Sequence, residues 1–176
     1  MARRADTSTV ESPSVRLFTD WTLGRIRLAE RMAEQGDLTY AGALCEFLLQ
    51  DDRVMSAFLA REDRLFGLKP SFEPGLKTSA RAKKAIDQDW WKAYPESTLR
   101  QMLRWGLLLG VSLHRHEWKA HAEHGGRLLP MPTMWPAQAL RWDWNTRTWS
   151  VRDAKFIDHQ VVPGDGEWVL HAPFGA

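Results

Sequence analysis

Residues 99–118, "LRQMLRWGLLLGVSLHRHEW", change their hydrophobic period in the middle. Leu99, Met102, Leu103, Gly106, Leu107 and Gly110 recur at steps of three and four, which predicts an amphipathic helix. After Gly110 the step becomes two: Val111, Leu113, Arg115 and Glu117 alternate with Ser112, His114, His116 and Trp118, which predicts a strand. A helix handing over to a strand at a glycine divides the chain there. Helical patterns lie before this stretch and antiparallel strand patterns after it, so the class is α+β, with a Trp-rich antiparallel sheet.

On the N-terminal side, Leu23, Ile26, Arg27, Ala29 and Met32 predict a short helix from about Asp20 to Gln35 that Gly36 ends. "LTYAGALCEFLLQ" (38–50) follows, with Asp37 as its expected N-cap and Leu38, Ala41, Leu44, Cys45, Leu48 and Leu49 on one face. Asp51 or Asp52 is expected to cap the next helix, whose stripe is Val54, Met55, Phe58, Leu59 and Leu65 and whose stop is Gly67. "LKPSFEPG" (68–75) predicts a short extended piece around Phe72. A basic helix then runs to about Tyr94, and Pro95 separates it from the quoted stretch. Residues 1–15 are polar and are expected to form a flexible arm, leaving 16–176 as one α+β domain.

On the C-terminal side, "HGGR" (124–127) has turn chemistry, and "LRWDWNTRTWSVRD" (140–153) predicts a hairpin about Asn145. Leu140, Trp142 and Trp144 are spaced by two on one side of it, Trp149 and Val151 on the other. "QVVPGDGEWVLHAPFG" (160–175) adds two short strands around its Pro-Gly-Asp-Gly turn. Trp118 and Trp168, near strand ends, are both expected to be mostly buried.

A chain of 176 residues buries roughly 70% of its unfolded surface. No apolar run approaches the ~20 residues of a membrane span, and "MARRADTSTVESPS" lacks the apolar centre of a secretory signal. The single cysteine, Cys45, leaves no internal disulfide or paired-cysteine zinc pattern, and its apolar helical setting points to a packed thiol. The formal net charge of +2 is too small to argue for nucleic acid. Lys77, Arg81, Lys83, Lys84, Lys92, Arg100 and Arg104 nevertheless outnumber Asp87, Asp89 and Glu96 across one stretch, a solvated helix face or a phosphate-contacting stripe.

The catalytic motifs fail on spacing. His116-Glu117 and His121 carry one residue too many for the helical zinc-protease pattern, which turns the second imidazole about 100° away. On a strand, His114 and His116 share a face and could meet a metal with His121 or His124. The plainer reading is a polar strand face running into an exposed turn. Ser112 has no nucleophile elbow around it, and the glycines of "PGDGEW" fit a β-turn better than a phosphate loop. Asp143, Asp153, Asp158 and Asp165 are expected to cap turns. No catalytic, cofactor-binding or metal-binding residue is assigned. Ten tryptophans against two tyrosines instead suggest sheet packing with interface anchors.

Taken in order, "DDRVMSAFLAREDRLFGLKPSFEPG", a helix ending in "WW", "LRQMLRWGLLLGVSLHRHEW", "LLPMPTMWPAQALRWD" and "VVPGDGEWVLHAPFG" resemble the N-terminal part of tailed-phage portal proteins, in particular the Mu-like branch. The resemblance covers roughly residues 38–176; its pattern asks for Glu117 and Trp118, while His114 and His116 fall at variable positions. It implies a non-enzymatic subunit of a homododecameric head–tail connector ring at a capsid vertex, assembled in the bacterial host cytoplasm. Implied partners are other portal subunits, capsid, terminase and tail-connector proteins, and DNA passing without sequence specificity; no membrane or cofactor is implied. The chain would be a wing portion, with stem and clip lying beyond it. The rival expectations are a basic, Trp-rich adaptor for nucleic acid or protein and a metal-dependent enzyme built on the histidines.

Overall fold

The computed structural model describes residues 20, 22–68, 79–121, 126–162 and 164–172. Among them five helices precede six strands, as the change of period at Gly110 predicts. The helices are α1 (Leu23–Glu34), α2 (Thr39–Leu48), α3 (Asp52–Phe66), α4 (Ala80–Ala93) and α5 (Glu96–Leu109). The expected arm, the Phe72 segment and His124 lie outside the described residues.

Local chemistry sets most helix ends. Thr22, Asp51 and Ser79 accept backbone N–H bonds at the starts of α1, α3 and α4. The N-cap of α2 is Leu38 rather than Asp37, but Asp37 still does the capping chemistry: its Oδ1 accepts the Thr39 N–H at 2.8 Å from one residue further back. Gly110 ends α5 at φ +73, the left-handed region that glycine enters without steric cost. Gly36 (φ +88) lies where any Cβ would run into the Trp142 carbonyl oxygen. That close approach lets the Gly36 carbonyl accept the Trp142 N–H at 2.7 Å and binds the α1–α2 corner to the sheet.

The strands form two sheets, not one. β1 (Ser112–His121) lies between β2 (Arg127–Met134) and β6 (Trp168–His171). The second sheet runs β3 (Leu140–Asp143), β4 (Thr148–Arg152), β5 (Asp158–Gln160). All pairings are antiparallel. The two short strands expected around the Pro-Gly-Asp-Gly turn are therefore not partners; the chain crosses between sheets there. β2 is absent from the sequence expectations because Pro130 and Pro132 argue against a strand. They are tolerated because β2 is an edge: Pro132 opposes His116 and Pro130 opposes Trp118, so both imide nitrogens face away from β1. The predicted hairpin forms, with Trp142 opposite Trp149 and Leu140 opposite Val151.

One core joins the two sheets: Leu38, Trp105, Val111, Leu113, Trp135, Leu140, Val151, Val161 and Trp168 are buried in contact. Trp135 and Trp168 meet edge to face, centroids 5.3 Å apart. Several stripe assignments shift. On α5 the buried residues are Trp105 and Gly106, while Leu107 is exposed. On α3 the buried residue is Glu62, while Leu59 and Leu65 are exposed. Trp168 is buried as expected, but Trp118 is 52% exposed. The reason is register: β6 pairs with β1 only as far as Arg115, so Trp118 sits beyond the covered part of the sheet.

Candidate functional site

The strand period brings Ser112, His114 and His116 to one face of β1, and His171, opposite Ser112, joins them from β6. α4 and α5 pack over this sheet. The result is a covered histidine layer, not the polar, solvent-facing row that alternation alone suggested. His114 is fully buried, and neither ring nitrogen has a hydrogen-bond partner. Loss of water, then the neighbouring His116 and His171, push its pKa down to about 4. His116 bonds through Nε2 to the Tyr94 hydroxyl, and burial lowers its pKa as well. Tyr94 stacks in turn on Trp90 at 4.5 Å.

An imidazole held neutral without donor, acceptor or solvent contact packs the interior and offers no base to a substrate. His121 closes β1 six residues beyond Arg115, the last residue paired with β6. Among the described residues no three His, Cys, Asp or Glu side chains approach closely enough to hold a metal.

The basic stripe is divided by the fold. Arg104 grips the buried Glu62 carboxylate with two bonds, Nε to Oε1 at 2.8 Å and Nη2 to Oε2 at 2.9 Å. Arg100 reaches Asp63 at 2.8 Å, contacts Glu62 at 3.6 Å, bonds Glu96 and lies over the Phe66 ring at 4.8 Å. These two cations thus clamp α3 to α5. Lys92 stands 3.9 Å from Asp89. Arg81 and Lys84 remain exposed on α4, while Lys77 lies outside the described residues.

Glu62 was not singled out in the sequence. Its signal was faint: an acid in the middle of an apolar helical stripe, 42 residues from its partner.

Three of the four aspartates cap turns as expected; Asp158 instead lies within β5 and pairs with a side chain. Asp143 accepts the Asn145 and Thr146 N–H groups, and Asp165 those of Glu167 and Trp168. Asp153 accepts from Lys155 and Ile157, and Asp158 forms a two-bond pair with Arg152. The backbone donors hold Asp143 and Asp153 below the usual carboxylate range, as the Arg152 guanidinium does Asp158. Cys45 packs against the core, and burial pushes its thiol up to about 11. Of the hairpin tryptophans, Trp142 and Trp149 pack across strands at 5.0 Å. Trp144 is exposed, its indole N–H bonding the Glu34 carbonyl at 3.0 Å.

What remains open to a partner is apolar surface. A groove of about 300 Å³ lies between α3, α4 and α5, lined by Leu65, Phe66, Leu68, Trp90, Leu99, Met102, Leu103 and His171. Elsewhere the β4–β5 turn exposes Phe156 and Ile157, and the far end of the β1–β2 ribbon exposes Trp118 and Leu128. No described helix is long and apolar enough to cross a membrane.

A family model described as the portal protein of Mu bacteriophage matches residues 43–175. The match begins within α2 and takes in α3 to α5 and both sheets. No curated protein matches the chain.

Proposed function

We propose, from the premise that the chain belongs to the family of Mu bacteriophage portal proteins, that it is a structural subunit of a head–tail connector. In this reading residues 16–176 form one α+β unit of the outer wing, and rings of subunits, twelve in the resemblance drawn above, sit at one capsid vertex. DNA is packaged and ejected through the ring; capsid, terminase and tail-connector proteins bind around it, and assembly takes place in the host cytoplasm.

The observation that carries the reading is the family match running through the helix-to-strand handover and both sheets. The side chains agree with a scaffold. Those that looked chemically competent in the sequence make internal contacts: His114 fills the interior, Arg100 and Arg104 clamp two helices, and the aspartates hold turns. A wall for passing DNA needs no base-edge contacts, because sequence is read by groove hydrogen bonds and a transported duplex must not be held by them. On this view the subunit is not an enzyme.

The test is localisation in particles. The chain, carrying a small epitope at its N-terminus, is produced in a host releasing phage heads, and the heads are labelled with gold-conjugated antibody. One labelled vertex per head is expected; heads without label, or with label spread over all vertices, would refute a portal role.

A further inference from the structure

We infer that the end of the β3–β4 hairpin carries a binding site for an organic carboxylate with a small aromatic body. The inference goes beyond the portal reading and does not depend on it.

Between the hairpin, β5 and β6 lies an open pocket of about 300 Å³, the lower end of the range that seats small ligands. Its walls are apolar. Trp142 and Trp149, ring centroids 5.0 Å apart, stand with Val162 and Leu170. Trp149 and Leu170 also pack against the core that joins the two sheets, so these walls are held from behind. Arg147 and Gln160 add polar groups, and no carboxylate lines the pocket among the described residues.

Arg147 gives the pocket its sign of charge. It closes the hairpin turn at φ +53, a position where turn chemistry favours glycine or asparagine and a long side chain is uncommon. The turn itself therefore has no need of an arginine. The other arginines of this sheet find acids: Arg152 pairs with Asp158 and Arg141 with Asp37. Arg147 by contrast is exposed and forms no hydrogen bond or ion pair among the described residues. The acids of the sheet are engaged elsewhere, Asp143 and Asp153 by backbone N–H groups and Asp158 by Arg152.

An unpaired guanidinium beside two indoles selects an anion whose body the rings cover. A carboxylate matches best, because a guanidinium holds its two oxygens with parallel N–H bonds. One cation also balances one carboxylate, whereas a phosphate dianion would be left half neutralised. The apolar part then lies against Trp142 and Trp149, where a planar ring packs edge to face or offset. The Trp149 indole nitrogen is buried without a hydrogen-bond partner. Packing alone places that ring, so turning its N–H towards a ligand oxygen breaks no existing bond. Two sources share this chemistry: a free aromatic carboxylic acid, and the C-terminal residue of a peptide that ends in an aromatic side chain.

The test titrates phenylacetate, phenylacetamide and acetate into the isotopically labelled whole chain while the indole N–H resonances are followed by NMR. Trp142→Phe and Trp149→Phe assign the two signals that matter. Phenylacetate is expected to shift both saturably, with a dissociation constant on the order of 1 mM or below, and to bind about tenfold or more tightly than the amide or acetate. Arg147→Gly keeps the fold, since glycine enters the left-handed region freely. It weakens phenylacetate by about tenfold or more, as loss of a charge-assisted hydrogen bond does, and leaves the amide unchanged. No saturable shift at these indoles, equal binding of acid and amide, acetate binding as well as phenylacetate, or indifference to Arg147→Gly would each overturn the proposal. A short glycine–serine peptide ending in phenylalanine, compared with its C-terminal amide, separates the sources. Tighter binding than phenylacetate assigns the pocket to peptide ends, weaker binding to a free acid, and both results support the site.

Discussion

Acidification should destabilise this protein well before its carboxylates titrate, and His114 is the reason. Its pKa is held near 4 in the folded chain against an ordinary value of 6.5. The unfolded chain therefore takes the proton first, and the stability that His114 contributes is complete above about pH 6.5 and lost as the pH falls towards 4. One tenfold change in proton binding corresponds to about 1.4 kcal/mol. The gap thus amounts to about 3 kcal/mol, with about 1.4 kcal/mol lost by pH 5.5 and about 2.5 kcal/mol by pH 4.5. His116, also lowered by burial, titrates in the same direction.

Urea unfolding from about pH 7.5 down to 4.5 measures the loss as a fall in midpoint at constant slope. The control is His114→Leu, which keeps an apolar side chain of similar size and removes two buried nitrogens that have no partner. It is expected to be neutral or stabilising at neutral pH, because an unsatisfied buried polar group costs roughly 1–3 kcal/mol. It also flattens the curve between pH 6.5 and 4.5. Parallel curves for parent and variant, or a His114 resonance titrating near 6.5 in the folded protein, would refute the reasoning.

Three further substitutions probe the packing. Trp168→Ala should cost on the order of 3–5 kcal/mol in urea unfolding, as large core truncations do, while Trp118→Ala, at a half-exposed site, costs about 1 kcal/mol or less. Glu62→Ala leaves Arg104 without its two-bond partner and should cost about 3–5 kcal/mol, the range for breaking a buried pair; a cost within experimental error would show that α3 and α5 do not depend on the clamp. Gly42→Ala normally helps a helix, but here the new methyl would stand 2.8 Å from the Gln138 backbone nitrogen. A loss of about 1–3 kcal/mol is expected in thermal melts, and a raised melting temperature would mean the α2 contact has slack.

The sequence by itself determined that helices precede strands and that the handover falls at Gly110, because helix and strand periods are local properties of side-chain spacing. It also determined the caps Asp143, Asp153 and Asp165 and narrowed that of α3 to Asp51 or Asp52, since their bonds to backbone N–H groups reach at most four residues, and the Trp142–Trp149 pairing, which a short hairpin fixes. Tertiary structure decided everything that depends on which sheet a strand joins. Nothing within Asp158–Gln160 or Trp168–His171 says that they part company, since the choice is made by partners tens of residues away. The same long-range pairing left Trp118 outside the covered sheet, put β2 at an edge where two prolines are harmless, and brought α4 and α5 down over His114. Burial of Glu62 was decided in the same way: a carboxylate at a core position is tolerable only with a cation opposite, and Arg104 lies 42 residues further along the chain. Periodicity reports which side of an element is apolar; it does not report what arrives to cover it.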